Sequence, residues 1–245
     1  MLERSCGSIV LGCLFPPRCP VCGGLRIPWE SLTCTECAGK LRKLREPLCM
    51  RCGCEVSDER TEYCADCKDR RSFFVRNYAV WQYDKQMKRS VADFKYNGRT
   101  EYTDFYVYHM ANSFGKQLLR HGVTALVPVP VAGKRKRFRG FNQAELLAEG
   151  LAKVLGLQVV HLLKRVQNTV PQSKLSRKER KENLLQSMEW DEKEESSLPV
   201  LPKCVAIVDD IYTTGATMEA CAQVLAEHGI SGIYGVCICL GSASE

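Results

Sequence analysis

One stretch, residues 205–218, limits the possible fold of this 245-residue chain more than any other, and it reads VAIVDDIYTTGATM. Its first four residues are apolar and mostly β-branched, which predicts a short strand buried on both faces. Asp209 and Asp210 follow at once, then a loop of small and hydroxylated residues, then helical spacing up to Glu227. A strand, an acidic pair, a small loop and a helix, in that order, predict the edge at which open α/β sheets bind ligands.

The loop in this stretch predicts a phosphate site. Its backbone N–H groups and the positive end of the following helix dipole both favour an anion. Carboxylates repel phosphate, so Asp209 and Asp210 suit hydroxyl groups or a metal ion instead. A phosphate at one end and a diol at the other describe a ribose 5-phosphate. The loop residues are Thr213, Thr214, Gly215, Ala216 and Thr217.

Simpler explanations of the same stretch are threonines that only cap a helix and aspartates that are only solvated. The complete string at a strand end favours a binding site over both. A Walker A loop is excluded because no Gly-Lys-Ser/Thr occurs, and Gly-x-Gly-x-x-Gly is absent as well. A response-regulator receiver is excluded because only 35 residues follow Asp210, too few for four further strand–helix units. The acidic strand is therefore late in its sheet.

A second feature is a duplicated cysteine array near the N-terminus. Eight of the 15 cysteines form four Cys-x-x-Cys pairs, and the second half, C-x2-C-x11-C-x2-C, repeats the first 30 residues later. Glycine follows the first pair of each half, at Gly23 and Gly53, and allows the chain to turn around a metal ion. The predicted ligands are Cys19, Cys22, Cys34, Cys37, Cys49, Cys52, Cys64 and Cys67.

Four thiolates at this spacing predict a closed, tetrahedral, structural zinc site, so the repeat predicts two zinc ions. About 70 residues with few large apolar side chains bury little core, and zinc therefore supplies folding energy. Redox chemistry is the alternative, but four pairs in a regular array disfavour it. One zinc ion per half is the simpler arrangement, with an interleaved one as the alternative. Cys54, two residues after Cys52, is interpreted as a thiol outside the ligand set.

Residues 73–245 predict an α/β domain with a basic segment before one of its helices. Lys and Arg occupy five of the six positions from 134 to 139, just before a helix start at Asn142. That position favours an anion site over a solvated turn or a nucleic-acid patch. Residues 191–202 are acidic, with Ser and Pro, and predict a surface loop. Further strands are predicted at 74–83, 125–129, 159–163 and 232–240, and further helices at 87–96, 102–119 and 142–155.

Composition narrows the class of protein. A net charge of +7 fits an anionic ligand or nucleic acid, and 45% hydrophobic residues permit a sizeable core. Cysteines at metal-ligand spacing indicate a reducing compartment rather than a disulfide framework. The apolar run at 9–15 is too short for a secretory signal, and no stretch reaches transmembrane length. We therefore expect a cytoplasmic protein with no membrane span.

The stretch 205–218 resembles the phosphoribosyl pyrophosphate (PRPP) signature of type I phosphoribosyltransferases. The stretch RFRGFNQA at 137–144 and the cysteine pairs narrow the resemblance to the ComF family, over about residues 19–240. The resemblance implies a double zinc ribbon at 1–72 and a phosphoribosyltransferase-like domain at 73–245, with an open, mainly parallel sheet and flanking helices. Lys95, Tyr96 and Gly98 stand where the family has a similar Lys-Tyr-x-Gly.

The resemblance also implies roles for these residues. Asp209 and Asp210 hold the ribose diol and the shell of a Mg²⁺ ion that bridges to the pyrophosphate. The loop 213–217 holds the 5-phosphate, and the segment with Arg137 and Arg139 binds the pyrophosphate. Residues 164–181 match the flexible loop that closes over PRPP, with an exposed amphipathic helix as the alternative. Because adjacent carboxylates repel each other, we expect Asn at either Asp position not to destabilise the empty site.

The function that the resemblance implies is PRPP binding in natural transformation, on internalised single-stranded DNA and with DNA-processing partners. Two hypotheses stay open at this stage. In the first, the protein is a phosphoribosyltransferase that transfers a pentosyl group to a base or an amine. In the second, it is a non-catalytic module that binds DNA or a partner and keeps the PRPP pocket as a sensor or a relic.

Overall fold

The structure is a computed structural model that describes residues 16–26, 31–166 and 187–241. Its strands are β1 (Arg76–Gln82), β2 (Ala125–Pro128), β3 (Gln158–Val159), β4 (Leu163–Arg165), β5 (Met188–Trp190), β6 (Cys204–Tyr212) and β7 (Gly232–Leu240). Five of them form a parallel sheet in the order β1-β7-β6-β2-β3, and β4 and β5 form a separate antiparallel pair. The acidic strand β6 is therefore central in the sheet and late in the chain, as predicted.

Helices cover both faces of this sheet. They are α1 (Ala65–Lys68), α2 (Lys85–Tyr96), α3 (Tyr102–Met110), α4 (Lys116–Arg120), α5 (Gly133–Arg139), α6 (Gln143–Leu155), α7 (Glu192–Ser197) and α8 (Ala216–Glu227). A π-helical segment, Ala111–Gly115, joins α3 to α4, so the single helix predicted at 102–119 is confirmed as one continuous rod. None of the helices in the described ranges is long and apolar enough to cross a membrane.

Alternate residues of β6 build two separate layers of core. Val205 and Ile207 are fully buried on the face that also holds the apolar residues of α8. Ala206 and Val208 are fully buried on the other face, against α2, α3 and α6. This is the burial on both faces that a continuous apolar run predicts for a central parallel strand. The predicted α/β architecture, a mainly parallel sheet with flanking helices after a cysteine-rich N-terminal module, is confirmed.

The structure differs from the prediction at three places. The surface loop predicted at 191–202 is wrong, because 192–197 form α7. The Asp191 carboxylate caps this helix by accepting hydrogen bonds from the N–H groups of Lys193 and Glu194 at 3.1 and 3.4 Å. The basic segment is a short helix, α5, and the strand predicted at 159–163 is two strands that belong to different sheets.

Candidate functional site

The acidic pair lies inside β6 and not after it. Ile211 and Tyr212 still pair with Cys239 and Leu240 of β7, so the strand continues past both carboxylates. Because side chains alternate along a strand, Asp209 lies on the face of Ile207 and Asp210 on the face of Val208. The two carboxylates therefore have different surroundings, which the sequence Asp-Asp alone does not show.

Asp210 is paired with Lys95 at the end of α2. The Lys95 Nζ atom lies 2.8 Å from Asp210 Oδ1, and both side chains are largely buried. Burial alone lowers the pKa of Lys95, but the charge of Asp210 and its hydrogen bond outweigh burial, so the pKa is raised overall. The structure thus changes the expectation for this position: Asn at Asp210 leaves a buried ammonium group without its counter-charge.

The surroundings of Asp209, in contrast, disfavour its negative charge. Burial and then the neighbouring charge of Asp210 raise the pKa of Asp209 to about 7, against smaller lowering effects from Lys95 and Arg165. Its Oδ1 atom accepts a hydrogen bond from the N–H group of Asp210 at 2.8 Å. Near neutral pH this carboxyl group changes its protonation state easily, so a bound cation or a hydroxyl group will decide its charge.

The predicted phosphate loop joins β6 to α8. Gly215 is buried and has φ +73°, in the left-handed region that favours glycine, and a Cβ atom there would overlap the Tyr212 hydroxyl. The Thr214 hydroxyl accepts a hydrogen bond from the N–H group of Ala216, the first residue of α8, at 3.4 Å, while the N-cap residue itself is Gly215. Thr213 and Thr214 are exposed. The loop therefore presents backbone and hydroxyl groups to solvent at the N-terminus of α8.

A second group of polar side chains gathers around the C-terminal end of α2. Arg139 donates hydrogen bonds to the Tyr96 hydroxyl and to Gln143 Oε1, both at 3.1 Å, and its guanidinium lies 4.7 Å from the Tyr96 ring centroid. The Gln143 side chain donates to the Lys95 carbonyl at 3.4 Å. Arg137 is exposed on α5. Arg139 is thus held by the side chains of Tyr96 and Gln143, whereas Arg137 faces solvent.

Sequence reasoning placed Lys95 and Tyr96 only by resemblance and did not include them among the site residues. The signal was the Lys-Tyr-x-Gly string at the predicted end of a helix, but nothing in it shows that Lys95 reaches Asp210, 115 positions later. Most of the predicted closing loop, from residue 167 onward, lies outside the described residues.

The two cysteine repeats have the same local structure. The N–H group of Gly23 donates to the Cys19 carbonyl at 2.8 Å, and that of Gly53 donates to the Cys49 carbonyl at 3.0 Å. Both glycines have positive φ, +71° and +80°. A short helical turn begins at residue 35 in the first repeat and at residue 65 in the second. The turn that glycine was predicted to allow is therefore present in both halves.

The thiols of each repeat fit zinc. Tetrahedral coordination with Zn–S bonds of about 2.3 Å separates neighbouring sulfur atoms by about 3.8 Å. The observed Sγ–Sγ distances are 3.8 Å for Cys22–Cys34 and 3.7 Å for Cys52–Cys64. Groups of four thiols lie within 4.8 Å of one another, one group in each half, so the interleaved arrangement does not occur. They are Cys19, Cys22, Cys34 and Cys37, and Cys49, Cys52, Cys54 and Cys64.

The second group contains Cys54 in the place where we predicted Cys67. Cys67 is buried beside this group, and its N–H group donates to the Cys64 carbonyl at 2.9 Å, as that of Cys37 does to Cys34 at 3.0 Å. The counterpart of Cys54 in the first repeat, 30 residues earlier, is a glycine. Five thiols thus surround the second site, and the repeat favours Cys67 as the fourth ligand.

Serine substitutions distinguish these two thiols. We expect the purified protein to hold two zinc ions, Cys67→Ser to hold one and Cys54→Ser to hold two, because only Cys67 has a ligand as its repeat counterpart. Metal analysis of protein purified without added zinc measures this directly. One zinc ion in Cys54→Ser and two in Cys67→Ser would reverse the assignment.

Comparisons with known proteins agree with this arrangement. Residues 10–68 match the model of the double zinc ribbon domain, which supports two zinc-binding sites of four cysteines each. Over 207 residues the chain is 34% identical to the competence protein ComFC of Bacillus subtilis, an alignment that covers 82% of this chain and 80% of that protein. The chain belongs to the ComF family. A more distant relative, the DNA utilization protein YhgH of Salmonella typhimurium, is 29% identical over 218 residues, 84% of this ComF chain and 89% of the relative.

The chain was also matched to solved structures. The purine phosphoribosyltransferase from Pyrococcus horikoshii Ot3 has 13% sequence identity and a TM-score of 0.33, over 58% of this ComF chain and 89% of that chain.

Proposed function

We propose that this ComF protein binds PRPP at the carboxyl edge of β6 and acts in natural transformation on internalised single-stranded DNA in the cytoplasm. The observation that carries the PRPP proposal is one continuous segment, β6 to α8: two carboxylates lie near the end of the strand, and a loop with exposed Thr213 and Thr214 joins the strand to the N-terminus of the helix. In this proposal residues 73–245 form the phosphoribosyltransferase-like domain and residues 1–72 the double zinc ribbon.

Each part of PRPP has a chemically matched group in this proposal. The loop 213–217 holds the 5-phosphate with N–H and hydroxyl donors at the positive end of α8. Asp209 and Asp210 accept hydrogen bonds from the ribose hydroxyls. Arg139 and Arg137 supply positive charge for the pyrophosphate. The contacts of Arg139 with Tyr96 and Gln143 support this role, because they hold its guanidinium in one place before a ligand arrives.

The carboxylate pair also fits a magnesium ion. Mg²⁺ takes one or two protein carboxylates together with substrate oxygens, so one of these two aspartates would be enough, although they lie on opposite faces of β6. When bound, the ion neutralises the charge of the departing pyrophosphate. On the protein side, Asp210 is paired with Lys95 at 2.8 Å, and Asp209, with a pKa of about 7, would be held in its ionised form by a bound cation.

A turnover assay tests whether the pocket is catalytic. Pure protein is mixed with PRPP, Mg²⁺ and candidate bases or amines, and release of pyrophosphate is measured. Turnover supports a transferase that moves a pentosyl group to the acceptor. PRPP binding without turnover, together with salt-sensitive affinity for DNA, supports the non-catalytic module. If PRPP does not bind at all, the proposal is wrong.

The DNA part of the proposal rests on the relatives and on α5. The relatives are named for competence and for DNA utilization. On α5, Phe138 has 83% of its surface exposed and stands between Arg137 and Arg139. An exposed aromatic ring between basic side chains suits single-stranded nucleic acid, because bases stack on the ring and phosphates pair with the cations.

Substitutions on α5 test whether this helix contacts DNA. Arg137→Ala should weaken affinity for single-stranded DNA of any sequence and flatten its salt dependence by about one unit of slope. Phe138→Ala should weaken the affinity for single-stranded DNA by about tenfold, because the bases lose a ring on which to stack. Lys153→Ala, an exposed cation on α6, is the control for net charge. Fluorescence anisotropy at several salt concentrations measures both quantities. Unchanged DNA affinity would assign this segment to pyrophosphate alone.

A further inference from the structure

The second zinc ribbon touches the phosphate loop through one side chain. Arg70, three residues after Cys67, donates a hydrogen bond from Nη1 to the Thr214 carbonyl at 3.0 Å, although 144 positions separate the two residues. Its Nη2 atom lies 3.8 Å from a carboxylate oxygen of Glu219 in the first turn of α8. The same guanidinium therefore contacts both the loop and the helix that follows it.

Glu219 anchors the chain that leaves the ribbon. This carboxylate is buried and accepts hydrogen bonds from the Ser72 hydroxyl at 2.8 Å and from the N–H group of Phe73 at 2.7 Å. A buried carboxylate needs such partners, and with Arg70 it has two neutral donors and one cation. The segment 70–73 is thus fastened to the first turn of α8, next to the proposed phosphate site.

The ribbon in turn fixes the backbone of Arg70. The Arg51 guanidinium donates to the carbonyls of Cys67 and Arg70. Arg51 lies between the cysteines of a metal-binding turn, and that turn is held to β1, because the N–H group of Asn77 donates to the Arg51 carbonyl at 2.7 Å and the Asn77 side chain donates to the Cys52 carbonyl at 2.9 Å. An unbroken series of contacts runs from the second metal site to Thr214.

Peptide geometry shows what this contact does to the loop. The Thr214 carbonyl and the Gly215 N–H group belong to one planar trans peptide, so they point in opposite directions. By holding the carbonyl, Arg70 fixes the direction of the Gly215 N–H group. Tyr212 packs against Gly215 and narrows the choice of loop conformations further. A phosphate-binding loop works when its N–H groups converge before the ligand arrives.

We propose that the second zinc ribbon is a working part of the phosphoribosyl site, in which Arg70 is the positioning residue for the loop that binds the 5-phosphate. This inference rests on the proposed function, because it takes the ligand of the loop to be the phosphate of PRPP. Zinc in the second ribbon then sets the affinity for PRPP, although no cysteine contacts the ligand.

The first ribbon is an internal control. In the part of the chain that the structure describes, its contacts run to the other face of the sheet: the Tyr102 hydroxyl donates to the Cys19 carbonyl at 3.3 Å, and Gly23 lies against the Arg89 guanidinium. Tyr102 begins α3 and Arg89 is on α2. Loss of zinc from this ribbon should therefore leave the phosphate loop as it is.

Two ligands that each occupy half of the site test the positioning role. Ribose 5-phosphate and inorganic pyrophosphate are titrated by calorimetry, with Mg²⁺, into wild type, Arg70→Ala, Arg70→Lys and Arg71→Ala, an exposed neighbour of equal charge. Arg70→Ala should bind ribose 5-phosphate about tenfold more weakly and pyrophosphate within about twofold of wild type. Arg70→Lys should recover part of the loss, because an ammonium group can still donate to the Thr214 carbonyl. Arg71→Ala should match wild type.

A second experiment tests the role of zinc by comparing Cys64→Ser in the second ribbon with Cys34→Ser in the first. Only Cys64→Ser should weaken the binding of ribose 5-phosphate. Unchanged binding of ribose 5-phosphate by Arg70→Ala would overturn the inference. Equal loss of both ligands, with zinc lost as well, would also overturn it, because it indicates general damage. If wild type binds ribose 5-phosphate, the proposed function survives either of these results. If wild type binds neither ligand, the proposed function fails, and this inference fails with it.

Discussion

Asp210→Asn should lower the melting temperature of the ligand-free protein by about 6 °C or more, whereas Asp209→Asn should raise it. The two residues are adjacent and both are aspartates, so residue type alone predicts the same effect at both. The difference comes from Lys95, which lies 2.8 Å from Asp210. Removing one partner of a largely buried ion pair leaves the other unpaired, and this costs about 3 kcal/mol.

The pKa of Asp209 gives the sign for the second substitution. Its folded-state pKa is raised from 3.8 to about 7, so ionising this carboxyl group costs more free energy in the folded chain than in the unfolded chain. Its contribution to stability is lost as the pH rises from about 4 to about 7. Asparagine does not ionise, so this loss of stability does not occur in the variant. Its side-chain oxygen can still accept the hydrogen bond from the N–H group of residue 210.

Thermal melts at pH 5 and pH 8 test both substitutions. The stabilisation by Asp209→Asn should be larger at pH 8 than at pH 5, because the penalty of the wild-type carboxylate is complete only above its folded-state pKa. Asp210→Asn should melt below wild type at both values. If both variants melt alike, the pairing of Lys95 with Asp210 does not govern the stability of this edge.

Gly215→Ala should weaken PRPP binding by about a hundredfold. Residue 215 has φ +73°, and an added Cβ atom would overlap the Tyr212 hydroxyl, so the loop must move. Backbone strain of about 1–3 kcal/mol adds to this effect. A moved loop no longer directs its N–H groups at one point, so the phosphate loses several donors together.

Gly229→Ala provides the matched control for this substitution. Gly229 also has positive φ, +85°, but an added Cβ atom there meets no atom within 4 Å. It lies just beyond the C-terminal end of α8, at the opposite end from the phosphate loop. The control carries the same kind of backbone strain and should bind PRPP as tightly as wild type does. Calorimetric titration measures both affinities. PRPP affinity that is equal in the two variants would place the 5-phosphate elsewhere.

The zinc ribbon and the sheet could be predicted because local patterns determine them. The spacing of the cysteine pairs fixes the metal sites, and the glycine after each first pair permits the turn. Apolar runs such as 205–208 and 232–240 have no polar face, so a buried parallel strand is the structure that fits them. The helix at 192–197 was missed because its cap, Asp191, was interpreted as one more acidic loop residue.

The electrostatics of the site could not be predicted in the same way. Whether Asp209 and Asp210 share one environment depends on where β6 ends, and pairing with β7 decides that. The partners Lys95 and Arg70 come from segments more than a hundred positions away, and no local spacing connects them to the loop. The sequence therefore predicted a candidate site, while contacts between distant segments determine the surroundings of its residues.

The most direct test of the central claim is a calorimetric titration of PRPP, with Mg²⁺, into wild type and the Asp209→Asn, Asp210→Asn double mutant. Melting temperature and zinc content are measured alongside, so that binding is compared between folded proteins with two zinc ions each. We predict that wild type binds PRPP and that the folded double mutant binds it about a hundredfold more weakly or worse, because two charge-assisted interactions are lost. A folded double mutant that binds PRPP as tightly as wild type would contradict the account.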